Sequence, residues 1–382
     1  MAGNSTNGSS AAGAFPAGNP LFGDRKLKLA TFGSNLKGGT AMTSGEGAHP
    51  GDWQTTLKIA QLADAMEFEA IVPVGRFRGV GGENDCGGTG FEPYTFAAAL
   101  AAATKHPALF STSHVPTIHP ILAAKQGTTI DHVSGGRFAL NLVTGWHKIE
   151  IDMFGSPMLD HDVRYDWAAE WLDVIKLLWT RDEEFDYEGK FYKINKGLLK
   201  PRPLQNPRPP VMCAGGSPKG RHFAAKHCDI AFTSFEQRST KETMIKNVED
   251  FKDIARKEYS REIKVWSSAY IVQGETEAEA RRLWEYYVIE KGDSVAADNM
   301  VEMLGIHSQS WPKEAFAKFK NDLIAGWGGF PLIGTAEQIR DGLQLLADSG
   351  VDGLVLSWPN YLNGIEQFSQ TVVPMLKQSG LR

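Results

Sequence analysis

From Lys26 nearly to its end, the chain alternates short apolar runs with amphipathic helical runs. This rhythm constrains the fold more than any single motif does. The apolar runs are Leu27 to Leu36, Ala70 to Val74, Ala108 to Val115, Arg137 to Thr144, Pro210 to Ala214, Asp229 to Ser234, Ile263 to Val272 and Gly353 to Trp358. They are nearly continuous, without the alternation of a half-exposed strand. Continuous runs imply burial on both faces, as in a parallel sheet covered by helices. Helical patterns separate them, at Trp53 to Met66, Pro93 to Lys105, Pro120 to His132, Val163 to Trp179, Arg221 to Lys226, Glu242 to Lys257 and Thr335 to Asp348. The eight strand candidates predict an α/β fold, a (β/α)8 TIM barrel with insertions. An open doubly wound sheet is the alternative, but no G-x-G-x-x-G follows the first strand.

Residues 26–382 are expected to form one domain with two insertions. The first, near 182–209, carries Phe185-Asp186-Tyr187-Glu188-Gly189-Lys190-Phe191-Tyr192, which predicts a hairpin turning at Glu188-Gly189. The second, at 290–332, reads as a long irregular stretch with Trp311 and Gly326-Trp327-Gly328-Gly329-Phe330. Loops of that length are usually functional or disordered, and the aromatics favour a lid over a substrate. Residues 1–25 are rich in Gly, Ala, Ser and Asn and read as a flexible tail.

The formal net charge is −5, which gives no electrostatic footprint for nucleic acid or an anionic membrane. No apolar run is long enough to span a bilayer, and the first two dozen residues lack the basic start and apolar stretch of a secretory signal. A cytoplasmic enzyme is the expectation. The three cysteines, Cys86, Cys213 and Cys228, show no metal-ligand spacing and read as reduced thiols.

Barrel active sites lie at the C-terminal ends of the strands. Gly75, Arg76, Phe77 and Arg78 follow the second strand there, and Thr112 and His114 the third. Asn141, Thr144, Gly145, Trp146 and Glu150 belong to the fourth, and Gly215-Gly216-Ser217 follows the fifth. Gly215-Gly216-Ser217 at a helix start is a plausible anion cradle, and Arg164 near another helix start could add a charge-assisted bond. Equally, the glycines could simply turn the chain and Ser217 cap the helix. Trp146 could wall a planar ligand or fill the rim. Asn141, inside an apolar strand, must find hydrogen-bond partners in the protein or a ligand. No H-E-x-x-H, G-x-S-x-G or paired His/Cys spacing occurs, which argues against a metal or a serine nucleophile.

Together, Ser134-Gly135-Gly136-Arg137-Phe138, Asn141 to Trp146, Asp160-His161-Asp162-Val163-Arg164-Tyr165, Ala214-Gly215-Gly216-Ser217 and Leu332-Ile333-Gly334-Thr335 resemble the bacterial-luciferase-like flavin monooxygenases. Within that family, Arg78-Gly79-Val80-Gly81-Gly82 and Cys213-Ala214-Gly215 look most like the pyrimidine monooxygenases. Arg76-Phe77 and Gly82-Glu83-Asn84 also look like the dimethyl sulfone monooxygenases. The resemblance implies an enzyme that uses FMNH2 and O2. A separate NAD(P)H-dependent flavin reductase would supply the reduced FMN, and the chain would pair as a homodimer or higher homo-oligomer.

Residue by residue, the resemblance implies that Gly75, Arg76, Asn141 and Glu150 meet the flavin. Arg164, Tyr165, Gly216 and Ser217 would hold its phosphate. Thr112, Asn141 and Trp146 would form the catalytic oxygen pocket, completed by Val72, Tyr270 and Trp327. Alkanesulfonate monooxygenases of this family carry an Arg and a His on the seventh strand. Here that stretch is Trp266-Ser267-Ser268-Ala269-Tyr270. An unpaired sulfonate in a dry pocket would be costly, so a small neutral substrate is expected, a pyrimidine-like or other N-heterocycle first and an organosulfur compound second. Deazaflavin hydride transfer on the same fold, or a flavin-binding protein without catalysis, are the other readings; oxygen consumption with reduced FMN separates them.

Overall fold

The computed structural model describes residues 15–235, 239–306 and 312–382. The strands, in chain order, are β1 (Lys28–Phe32), β2 (Ala70–Val72), β3 (Ala108–His114), β4 (Phe138–Val143), β5 (Phe185–Glu188), β6 (Lys193–Gly197), β7 (Val211–Ala214), β8 (Ile230–Phe232), β9 (Lys264–Gln273), β10 (Phe330–Gly334) and β11 (Gly353–Ser357). The order β1-β2-β3-β4-β7-β8-β9-β11 closes on itself, because β11 pairs with β1 and β8 with β9, all in parallel. That closure makes the fold a (β/α)8 barrel and removes the open-sheet alternative.

The helices are α1 (Trp53–Ala65), α2 (Pro93–Ala103), α3 (Pro120–Ser134), α4 (Lys148–Met153), α5 (His161–Thr180), α6 (Pro218–His227), α7 (Lys241–Tyr259), α8 (Glu277–Glu285), α9 (Ser294–Met303), α10 (Lys313–Gly326), α11 (Ala336–Asp348) and α12 (Tyr361–Gln378). The barrel interior is packed by Ala30, Val72, Phe110, Ala139, Met212, Ile230, Trp266 and Val355. A larger apolar layer joins the outer strand faces to the helices. Among the described residues, no helix is long and apolar enough to cross a membrane.

The hairpin β5–β6 forms where the sequence predicts it, with Gly189 N–H donating to Tyr192 O at 2.9 Å. Two segments differ from expectation. Residues 15–25 belong to the stretch read as a flexible tail, yet Pro20–Phe22 forms one helical turn and Leu21 is fully buried among the barrel-interior side chains. Asn19 Nδ2 donates to Gln205 Oε1 at 2.8 Å, in a buried bond. The Gly- and Ser-rich composition hid this because one apolar side chain and one amide suffice to seat the segment. Residues 1–14 of the tail lie outside the described residues.

The stretch 290–332 is not irregular in its described part. It holds α9, α10 and the start of β10, which pairs with Ala269–Gln273 of β9 beyond the point where β8 has ended. Ala296, Ala297, Met300 and Val301 bury one face of α9, and Leu323, Ile324 and Ala325 pack the end of α10. Trp311 lies outside the described residues. Helix α9 clasps the long loop after β2: Asn299 Nδ2 donates to Val80 O at 2.8 Å, and Asp293 accepts from Asn84 N at 2.7 Å.

Candidate active site

A cavity of about 240 Å³ opens at the C-terminal mouth of the barrel. Its walls are Phe32, Val72, Pro73, Val74, Gly75, Arg76, Thr112, His114, Asn141, Val143, Trp146, Met212, Ala214, Phe232 and Trp327. Most of these are apolar, and the few polar groups converge from β3, β4 and the loop after β2. A second hollow of about 870 Å³, lined by Phe77, Arg78, His147, Asn299 and Glu302 among others, shares Trp146 with the first.

The register of β3 and β4 pairs Thr112 with Asn141. Asn141 Nδ2 donates to Thr112 Oγ1 at 3.1 Å, and Thr112 Oγ1 donates to Pro73 O. A hydroxyl has one proton, so Thr112 must accept from Asn141 once it donates to Pro73. This fixes the amide's orientation. It leaves Asn141 Oδ1 buried with no partner. An unsatisfied buried acceptor costs about 1–3 kcal/mol unless a ligand supplies the donor.

Arg76 is 5% exposed, and its guanidinium lies over the rings of Trp146 (5.0 Å) and Trp327 (5.2 Å). Burial lowers its pKa, and the charge of Glu150 opposes this. Its Nε and Nη2 have no partner, while Nη1 lies 3.3 Å from His147 Nδ1. Trp327, which caps α10, has the left-handed φ of 52° without being glycine, a conformation that surrounding contacts must hold.

Glu150 is fully buried. Its Oε1 accepts from Phe77 N at 2.8 Å and Arg78 N at 3.0 Å, and lies 3.3 Å from His147 Nδ1. Glu150 therefore anchors the loop that carries Arg76. Burial alone would raise its pKa, but His147, Arg76 and the two amides hold it below the ordinary carboxylate value. Its Oε2 has no hydrogen-bond partner and lies 3.9 Å from His114 Nδ1. His114 is 6% exposed, and burial pushes its pKa down to about 4.

A third group gathers at the starts of α5 and α6. Arg164 Nη1 donates to Gly145 O, and its buried Nε has no partner. Tyr165 is buried, its pKa raised mainly by burial, with Ser217 as a hydrogen-bond neighbour that lowers it and Arg164 nearby. Ser217 caps α6 by accepting from Gly220 N at 3.1 Å. A Cβ on Gly215 would meet the Gly220 backbone at 2.6 Å, so that glycine serves close helix approach. One on Gly216 would meet nothing within 4 Å, leaving room for a ligand at the helix start.

Of the site residues expected from the sequence, Val72, Gly75, Arg76, Thr112, Asn141, Trp146 and Trp327 line the small cavity. Arg164, Tyr165, Gly216 and Ser217 form the neighbouring group. Tyr270 is corrected: it is not in the cavity wall. Its hydroxyl accepts from Trp284 Nε1 at 3.2 Å, and its ring packs in the satellite core against Gly326. Its strand is right, but the ring packs in the satellite cluster that also holds Trp146 and Trp327, beside the cavity and not in its wall. His147 and the aromatic floor of Phe32 and Phe232 were not singled out in the sequence. The three-residue spacing of His147 and Glu150 at a helix start was the one available signal.

Comparison with known proteins settles the family. The sequence profile described as luciferase-like monooxygenase matches residues 31–353. The chain belongs to the luciferase-like monooxygenase family. It is 32% identical to an FMNH2-dependent dimethylsulfone monooxygenase of Pseudomonas putida, over 92% of this chain and 96% of that protein. It is 28% identical to a pyrimidine monooxygenase, RutA, of Cronobacter sakazakii, over 84% of this chain and 94% of that one. A crystal structure of riboflavin lyase with modified FMN and riboflavin has a TM-score of 0.82 at 20% identity, covering 93% of this chain and 92% of that chain, a likeness of fold. The family's flavin-dependent monooxygenase chemistry accords with a cavity whose polar groups are few and whose walls are mostly apolar.

Proposed function

We propose that this luciferase-like enzyme is an FMNH2- and O2-dependent monooxygenase, fed by a separate NAD(P)H-dependent flavin reductase and acting on a small neutral N-heterocycle of the pyrimidine type. The observation that carries the reading is the Thr112–Asn141 pair, which leaves an unpartnered Asn141 Oδ1 at the wall of an apolar cavity. That acceptor suits the ring N–H of a reduced flavin. When bound, reduced FMN supplies the two electrons that activate dioxygen.

The chain's own groups then bind, orient and keep water out. Arg164, Tyr165, Ser217 and the open position at Gly216 would hold the phosphate, by charge-assisted bonds and the start of α6. Arg76, clamped between two indoles, would present fixed N–H donors to ring oxygens. Phe32, Val72, Met212 and Phe232 would supply the dry wall around the reacting oxygen. A small neutral substrate is supported by the seventh strand, where Ser267, Ser268 and Ala269 offer no cation.

A second reading, a small sulfone, is favoured by the 32% identity to the dimethylsulfone enzyme. The test is aerobic turnover with enzymatically regenerated FMNH2, offering uracil and dimethyl sulfone separately and reading products by mass spectrometry. An oxygen-bearing product from uracil supports the first reading, and product from the sulfone alone replaces it with the second. Oxygen consumption without product from either overturns both.

A further inference from the structure

One buried group in the cavity wall, His114, and one buried behind it, Glu150, have a relationship that oxygen chemistry alone does not require. Glu150 Oε2 is a buried carboxylate oxygen without a hydrogen-bond partner, and His114 Nδ1 stands 3.9 Å from it. The His114 ring is itself buried and lines the cavity. A lone buried carboxylate oxygen is costly to leave bare, and a proton on the facing imidazole would set a positive charge beside it.

We propose that His114 is the general base of this site, taking a proton from an N–H of the bound substrate, with Glu150 holding the imidazolium that forms. The inference rests on the heterocycle reading above. In this step the substrate N–H bond breaks, its electron pair stays on the nitrogen, and an N–H bond forms on His114. The proton returns when the product forms, so no electrons change hands. The arrangement is that of a base oriented by a carboxylate.

The surrounding charges decide when the base works. Arg76 and His147 face the same carboxylate, and with burial they keep His114 neutral in the empty site, its pKa held at about 4. A neutral imidazole is the form able to accept a proton. Once substrate gives one up, the anion and Glu150 together offset the charge on His114, and Arg76 lies in the same wall to meet the anion. The proposed class is thus a ring with an acidic N–H beside a carbonyl, an imide or lactam. A sulfone has no such proton.

The test combines kinetics with imidazole NMR on the enzyme loaded with oxidised FMN. In the wild type, the His114 resonance is expected at its neutral position near pH 7 and to move to the protonated position on adding uracil. In E150Q that movement should be lost. H114Q should lower kcat/KM for uracil by about 100-fold, and H114N serves as the second variant if H114Q folds poorly. An unmoved His114 resonance in an enzyme that turns uracil over overturns the inference and leaves the function standing. Absence of any oxygen-bearing product from uracil overturns the function and the inference with it.

Discussion

Asn141 Nδ2 donates to Thr112 Oγ1 at 3.1 Å, and the threonine hydroxyl passes its own proton to the carbonyl of Pro73. Three consecutive strands thus fix the direction of one amide. Breaking either end should free it. Asn141→Ala is expected to fold, to consume oxygen, and to lose coupling of oxygen to product by about tenfold or more, the worth of one buried hydrogen bond. Thr112→Val should act in the same direction, because the amide could then rotate. Product formed per oxygen consumed is the measurement, with circular dichroism as the folding check. Wild-type coupling in Asn141→Ala would exclude this role.

Arg164 is the charged member of the group at the starts of α5 and α6. Arg164→Ala should weaken FMN binding by about tenfold or more, as expected for a charge-assisted bond, and leave riboflavin binding unchanged. Fluorescence titration with the two flavins checks this. Equal weakening for both would place the phosphate elsewhere. Arg164→Ala also removes the bond to Gly145 O, and the riboflavin arm controls for that loss.

The barrel was legible because its strands are buried on both faces, which writes them as continuous apolar runs. Thr112, Asn141 and Trp146 were legible as positions, since strand ends line a barrel mouth. Their partnership was not, because the register that puts Thr112 opposite Asn141 spans two strands and a helix. Tyr270 was misplaced for a related reason: the strand could be read, but not that α10 and its Gly326 pack over this ring. Helices α9 and α10 were missed because glycines and aromatics at 326–330 dominated the reading of that stretch. The seating of Leu21 was hidden by the low-complexity composition around it.

Leu21 fills the barrel interior from a segment with little structure of its own. Leu21→Ala should cost about 2–5 kcal/mol, the usual range for a fully buried leucine. Urea denaturation with an unchanged m-value would report it. A loss below about 0.5 kcal/mol, typical of a surface change, would show that the segment does not plug the barrel in solution.

Acid should destabilise the protein before its carboxylates titrate. His49 and His114 are both buried, and burial holds the pKa of each at about 4. The ordinary imidazole value is about 6.5, so the unfolded chain takes up these protons first. Their contribution is therefore complete above about pH 6.5 and is lost as pH falls toward 4, on the order of 3 kcal/mol for each histidine. Melting temperature followed from pH 7.5 to 4.5 should fall, and His49→Asn should flatten the fall. A melting temperature constant across that range would contradict the buried neutral state.

Isotopically heavy dioxygen tests directly whether the enzyme moves oxygen from O2 into its substrate. Enzyme, FMNH2 and uracil are mixed under labelled oxygen in ordinary water, and the product is weighed by mass spectrometry. One heavy oxygen atom is expected in the product, and none when the flavin is supplied oxidised. A product bearing only light oxygen, or no product while FMNH2 is consumed, would contradict it.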